Sequence, residues 1–266
     1  MFARKIMKFM LSLLLVLSVT GGQPAAAHIV QTGKTPDVTH TSRCGNPADT
    51  GRVSAPLMVA IWQGNLDAVN NLLFAGTKLN VLLPEDCATS GKKPMTTPLI
   101  YAIQAKQGSR FHARSQGMVG FLLQQGADAN FHPAQAMTPL QVAASLGDAS
   151  SVRTLLVNGA CADDRDEKGD TALLIAAQQS NGAAVIQQLV DSGANLHAMN
   201  NSGDNAVMLA AQQHQLDNVK LLVGLEVDAC AKDHDGKTAA DLAQLNTKDD
   251  PAKQEILALL KTKCGS

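Results

Sequence analysis

Aromatic side chains are scarce, with one Trp, one Tyr and six Phe in 266 residues. A core must therefore be assembled from Leu, Ile, Val, Ala and Met, which favours packed helices over a β-sandwich. Charge of neither sign is in excess: 22 Lys plus Arg face 23 Asp plus Glu, so no sequence-wide basic field recommends nucleic acid as a partner. The chain has no series of apolar runs long enough for several membrane spans, and its 45% hydrophobic content is not that of a disordered or collagen-like chain. Catalytic motifs are missing too. There is no Gly-x-Ser-x-Gly, no His-Glu-x-x-His and no Cys-x-x-Cys, and Gly91-Lys92-Lys93 lacks the upstream glycine of a phosphate loop. Asp233-x-Asp235-Gly236 opens like a calcium loop but lacks the later Glu ligand, and the histidines are scattered. No enzyme, cofactor or metal site is expected.

Residues 1–27 read as a signal peptide. Arg4, Lys5 and Lys8 form a positive start, residues 9–19 are an apolar run of eleven, and Gln23-Pro24-Ala25-Ala26-Ala27 offers small residues for cleavage before His28. Eleven residues fall short of the roughly 20 that span a bilayer, so a retained membrane anchor is not expected. Cleavage would leave 19 basic against 23 acidic residues, a net charge of −4. The product expected is a mildly acidic periplasmic or secreted protein.

From about residue 55 the chain repeats itself. Thr138-Pro139-Leu140-Gln141-Val142-Ala143-Ala144, Thr171-Ala172-Leu173-Leu174-Ile175-Ala176-Ala177, Asn205-Ala206-Val207-Met208-Leu209-Ala210-Ala211 and Thr238-Ala239-Ala240-Asp241-Leu242-Ala243 start 33, 34 and 33 residues apart. Two earlier copies begin at Ala55 and Thr97, with spacings of 42 and 41 that imply insertions of nine and eight residues. Each unit reads as helix, turn, second helix and extended loop. Thr or Asn caps the first helix, Pro or Ala follows where a backbone N–H is dispensable, and paired alanines allow close helix approach. The second helix carries stripes such as Val152, Leu155 and Leu156, or Val185, Ile186 and Leu189, and ends at Gly126, Gly159 or Gly193. Met58, Met118 and Met208 fall at core positions of helices.

These residues resemble the ankyrin repeat in spacing, in the Thr-Pro-Leu opening, in the alanine pair and in the Gly-Ala-Asp close. The resemblance covers residues 54–264 and implies an all-α solenoid of about six helix-turn-helix repeats, two with insertions. The His that usually follows Thr-Pro-Leu is absent: Ile100, Gln141, Leu174, Met208 and Asp241 stand there. Its turn-stabilising hydrogen bonds need partial replacement. A solenoid needs polar ends. Residues 28–53 are a candidate N-terminal cap, and residues 251–263, with Ile256, Leu259 and Leu260 on one face, form a candidate capping helix.

The insertions fall at 83–95, in a fingertip loop, and at 107–116, in the turn between two helices. Each reads either as tolerated surface slack or as a partner-specific loop. Arg110, Phe111, His112 and Arg114 make the second the better binding candidate. Five cysteines follow the signal segment. Export makes pairing plausible, and the odd count leaves one free or intermolecular. Cys161 and Cys230 lie two repeats apart, about 20 Å at roughly 10 Å per packed element, too far to pair. A Cys44–Cys87 disulfide is expected first and Cys230–Cys264 second.

By resemblance, the chain is expected to bind another protein with loop tips and inner helices. The loop tips offer Asp164, Arg165, Glu167 and Lys168, then His197, Met199, Asn200 and Asn201, then Lys232 and His234. The inner helices add Gln141, Ser145, Gln178, Gln179, Gln212 and Gln213, none of which the core demands. This polar, mixed-charge face suits a folded protein partner better than a hydrophobic peptide. The resemblance implies a non-enzymatic periplasmic scaffold or accessory factor, with a link to stress defence, or alternatively an immunity protein that neutralises a secreted toxin. A redox-active or metal-dependent enzyme is the reading from a different class, which thiol titration would test.

Overall fold

Hydroxyl and amide side chains open the helices as their positions require. Thr138 accepts from the Gln141 backbone N–H, Thr171 from Leu174 and Asn205 from Met208, each three residues ahead, so one orphan donor of each first turn is satisfied. The computed structural model describes residues 54–84, 95–108, 117–134, 136–245 and 250–265. Among them the helices are α1 (Ser54–Trp62), α2 (Leu66–Phe74), α3 (Pro98–Gly108), α4 (Met118–Gln124), α5 (Pro139–Ser145), α6 (Ala149–Val157), α7 (Ala172–Ala177), α8 (Gly182–Asp191), α9 (Ala206–Gln212), α10 (Leu216–Gly224), α11 (Ala239–Leu245) and α12 (Pro251–Cys264).

These make six helix pairs. The first helix of each pair packs on the first helix of the next, and from α4 onward the second helices do likewise, so two helical layers share one continuous core. Alanines set the spacing of the first layer: Ala143, Ala144, Ala176, Ala177, Ala210 and Ala211 are all sealed from solvent. The second layer is pinned by Val152, Leu155, Val185, Ile186 and Leu189, each at 0% exposure, as the stripes foretold. Met118 and Met208 are buried, and Met58 is half-buried. The six-repeat all-α solenoid is thus the observed architecture.

One small β element interrupts it. In the first insertion, β1 (Leu83–Pro84) and β2 (Met95–Thr96) pair antiparallel, Leu83 opposite Thr96 and Pro84 opposite Met95, so the loop is pinched at its base. Residues 85–94 and 109–116 lie outside the described residues, and with them Arg110, Phe111, His112 and Arg114. Residues 1–53 do also, and with them the expected signal peptide and the candidate N-terminal cap. Cys44 and Cys87, the pair ranked first, fall in the same segments. The pair ranked second does form: Cys230 and Cys264 are joined with Cα atoms 5.5 Å apart. Cys161 is free and exposed.

Neighbouring repeats are also stitched by a recurring polar contact. Asn80 donates to the Gly126 carbonyl at 3.2 Å and accepts from Asp128 N–H at 2.8 Å. Asn130 repeats this on Gly159 and Cys161, at 3.0 and 2.9 Å. Asp163 accepts from Asn195 N–H at 2.8 Å in the next interval. Each stitch supplies partners to the backbone just past a helix end, where groups would otherwise be orphaned.

Candidate partner-binding face

The loop tips from residue 163 onward share one construction. Asp166 Oδ1 accepts from the N–H groups of Lys168 and Asp170, Asn200 Oδ1 from those of Ser202 and Asp204, and Asp233 Oδ1 from those of Asp235 and Lys237. The backbone closes the same turn each time, with Gly169, Gly203 and Gly236 donating back to Asp166, Asn200 and Asn200's counterpart Asp233 at 2.9 to 3.0 Å. The Asp233-x-Asp235 pattern is therefore a turn whose first carboxylate is already engaged by backbone donors.

Consecutive fingers are tied edge to edge. Asn201 N–H donates to Lys168 O and its amide to Glu167 O, and His234 N–H donates to Ser202 O. Arg165 Nη1 spans from its own Gly169 carbonyl at 3.1 Å to the Met199 carbonyl at 2.7 Å. The fit is close enough that a Cβ at Gly203 would come within 2.7 Å of the His234 ring. The tied backbones fix where each finger presents its exposed side chains.

Beneath the tips lie two carboxylates, Asp170 and Asp204. The Asn200 amide donates to both, at 3.0 and 3.5 Å. Burial pushes each carboxyl above its ordinary value, and neighbouring carboxylates add to the rise: Asp166 for Asp170, and Asp233, Asp170 and Asp235 for Asp204. Asp241 is opposite in sign, held below its ordinary value by hydrogen bonds from the Thr238 backbone and hydroxyl.

The residues assigned to a partner divide by exposure. Arg165, Glu167, Lys168, His197, Met199, Asn201, Gln213, Lys232 and His234 are exposed, while Ser145, Asp164, Gln178, Gln179, Asn200 and Gln212 are half-buried. Gln141 corrects the expectation that none of this set is demanded by the core. It is 1% exposed; its carbonyl accepts from Thr138 N–H and its amide donates to the Asp164 and Asp170 carbonyls, so it occupies the missing histidine's place structurally. Asn205 makes the equivalent reach to Asp228 O, 23 residues on. Arg165 and Asn200 are likewise spent on neighbouring backbone and carboxylates. Met137, 38% exposed at the foot of the preceding finger, was not in the set. Its position directly before Thr138, equivalent to Asp170 and Asp204, was the available signal.

A repeated helix pair stacked into a solenoid with stitched fingers defines a repeat scaffold. The pattern "Ankyrin repeats (3 copies)" matches residues 110–198 and again 175–264, together more than half of the chain. The chain belongs to the ankyrin-repeat family, a family of protein-interaction scaffolds. No curated protein matches it. No helix among the described residues is long and apolar enough to cross a membrane.

Proposed function

We propose that this chain is an exported, non-enzymatic scaffold or accessory factor of the bacterial periplasm, serving stress defence by holding a folded protein against the fingers and the adjoining first helices. The observation that carries this reading is the row Glu167, Lys168, His197, Met199, Asn201, Lys232 and His234. These side chains are exposed on fingers whose backbones are locked to one another, so binding costs little ordering entropy. Export rests on the basic and apolar pattern of residues 1–27, with a disulfide of the kind oxidising compartments sustain as support.

The test is affinity capture from a periplasmic extract, using the parent and a variant with Glu167, Lys168, His197 and Lys232 all changed to Ala. The expected result is a partner retained by the parent and lost by the variant at an unchanged thermal midpoint. Binding that survives this variant but falls when Arg110, Phe111 and Arg114 are replaced moves recognition to the second insertion. Recovery of a secreted toxin, with loss of its toxicity, would replace the accessory role by the immunity role. A mature product that retains Met1 rather than starting at or near His28 would overturn export.

A further inference from the structure

Among the described helices, α12 alone is held by a disulfide. Of its side chains α12 buries only Ile256 and Leu260, whereas α10, which it follows in the second layer, buries Asn218, Val219, Leu222 and Val223. Leu257 and Leu259 pack half-buried beside them, and two further attachments sit near the helix's ends. At the start, His214 occupies the turn between α9 and α10, where Gly64 and Gly147 stand in earlier repeats, and it keeps their left-handed backbone, with φ of 55° against 64° and 65°. That conformation strains a residue with a side chain, and the surroundings must compensate. The ring does so on both sides. Nδ1 lies 3.0 Å from Oδ2 of Asp250, the residue that caps α12, and Nε2 lies 3.0 Å from the Ala243 carbonyl at the end of α11.

At the far end, Cys264, the final residue of α12, is bonded to Cys230 in the loop after α10. Between the two ends, the Lys220–Glu255 ion pair is exposed on both sides and adds little. The C-terminal half of α12 thus depends on buried Leu260, half-buried Leu259 and one disulfide. Both cysteines are exposed, so the bond lies within reach of an attacking thiolate, and exposed disulfides are the labile ones.

We propose that Cys230–Cys264 is a redox latch: a dithiol reductant opens it and frees the C-terminal half of α12 from the terminal repeat, while His214 retains the N-terminal end in register. One thiolate of the dithiol attacks a sulfur of the pair and forms a mixed disulfide. The other cysteine leaves as a thiolate and takes up a proton. The second thiol of the reductant then displaces the remaining cysteine, so the reductant departs as a disulfide and two electrons have passed to Cys230 and Cys264. Oxidation by a disulfide donor reverses both steps.

The experiment is amide hydrogen exchange on the full chain, before and after dithiothreitol, with free thiols counted by mass. Reduction should speed exchange in the second half of α12 about tenfold or more while α7 and α9 keep their protection. Cys264→Ser in the oxidised chain should show the same pattern, which separates this bond from any other disulfide. Three results would overturn the latch: unchanged α12 exchange with both thiols free, simultaneous loss of protection across all repeats, or a bond that survives dithiothreitol in the folded chain.

Discussion

Arg165 donates through Nη1 to the backbone carbonyl of Met199, 2.7 Å away in the next finger, and in the same fork to Gly169 of its own. A residue whose charge suggested an outward, partner-facing role is thus also a brace. Arg165→Ala should lower stability by about 1 kcal/mol, the scale of a charge-assisted hydrogen bond near solvent, and speed hydrogen exchange at Asn201. Glu167→Ala and Lys168→Ala, measured in the same urea titrations, should stay within about 0.5 kcal/mol of the parent. Equal effects for all three would remove the brace.

Leu155 and Val157 lie two residues apart on α6, one at 0% exposure and the other at 81%. Leu155→Ala should cost about 2 to 5 kcal/mol through lost burial and the cavity left behind, and Val157→Ala about 0.5 kcal/mol or less. Chemical denaturation of both variants checks the repeat register. A Leu155 loss below about half a kcal/mol would break it.

Gln141 stands in for the family's histidine, so the two should be exchangeable and an apolar residue should not. Gln141→His should keep stability within about 1 kcal/mol, whereas Gln141→Leu leaves the Thr138 N–H and two carbonyls without its amide and should cost about 1 to 3 kcal/mol. Leu174 and Met208 hold the same position in the next two repeats and are buried, so size alone would not explain a loss. Thermal melts of the two variants separate the alternatives.

Asp170 and Asp241 should answer pH in opposite directions. The raised carboxyl of Asp170 makes the folded chain bind its proton more tightly than the unfolded chain does. Its contribution is therefore fully present below the ordinary value of 3.8 and is lost as pH rises through the higher folded value. Asp241, with its value lowered, contributes stability above 3.8 that is lost as pH falls through the lower folded value. Relative to the parent, Asp170→Asn should gain stability as pH rises above 3.8, and Asp241→Asn should gain it as pH falls below 3.8. Unfolding free energies measured on both sides of that value decide the signs, and parallel curves for the two variants would contradict them.

The features legible in the sequence were those carried by short-range chemistry. Thr138, Thr171 and Asn205 announce helix starts because a cap acts three residues away, and the Val185, Ile186 and Leu189 stripe announces a buried face because helical spacing puts it there. The capping helix was visible for the same reason. Long-range polar contacts were not. That Asn80 would reach Gly126 across both insertions, or that Arg165 would bend toward Met199, depends on how two loops approach, and residue type alone does not encode that approach. Gln141 looks like a surface residue in the sequence because glutamines usually are; only the return of the following finger over it creates its two acceptors. The Cys230–Cys264 pair ranked second because its closeness depends on α12 bringing its last residue back to the loop after α10.

The bond between Cys230 and Cys264 has a mechanical consequence. The residues enclosed by it, a separation of 34 in sequence, include α11 and most of α12. A pulling force applied at the C-terminus enters at Cys264 and crosses directly to Cys230, so α11 and α12 are bypassed and the load falls first on the segment before Cys230. The bond withholds about 110 Å of extendable chain at roughly 3.4 Å per residue. In a force-extension trace the oxidised protein should end short by that length, and adding a reductant during the pull should return it as a single late step.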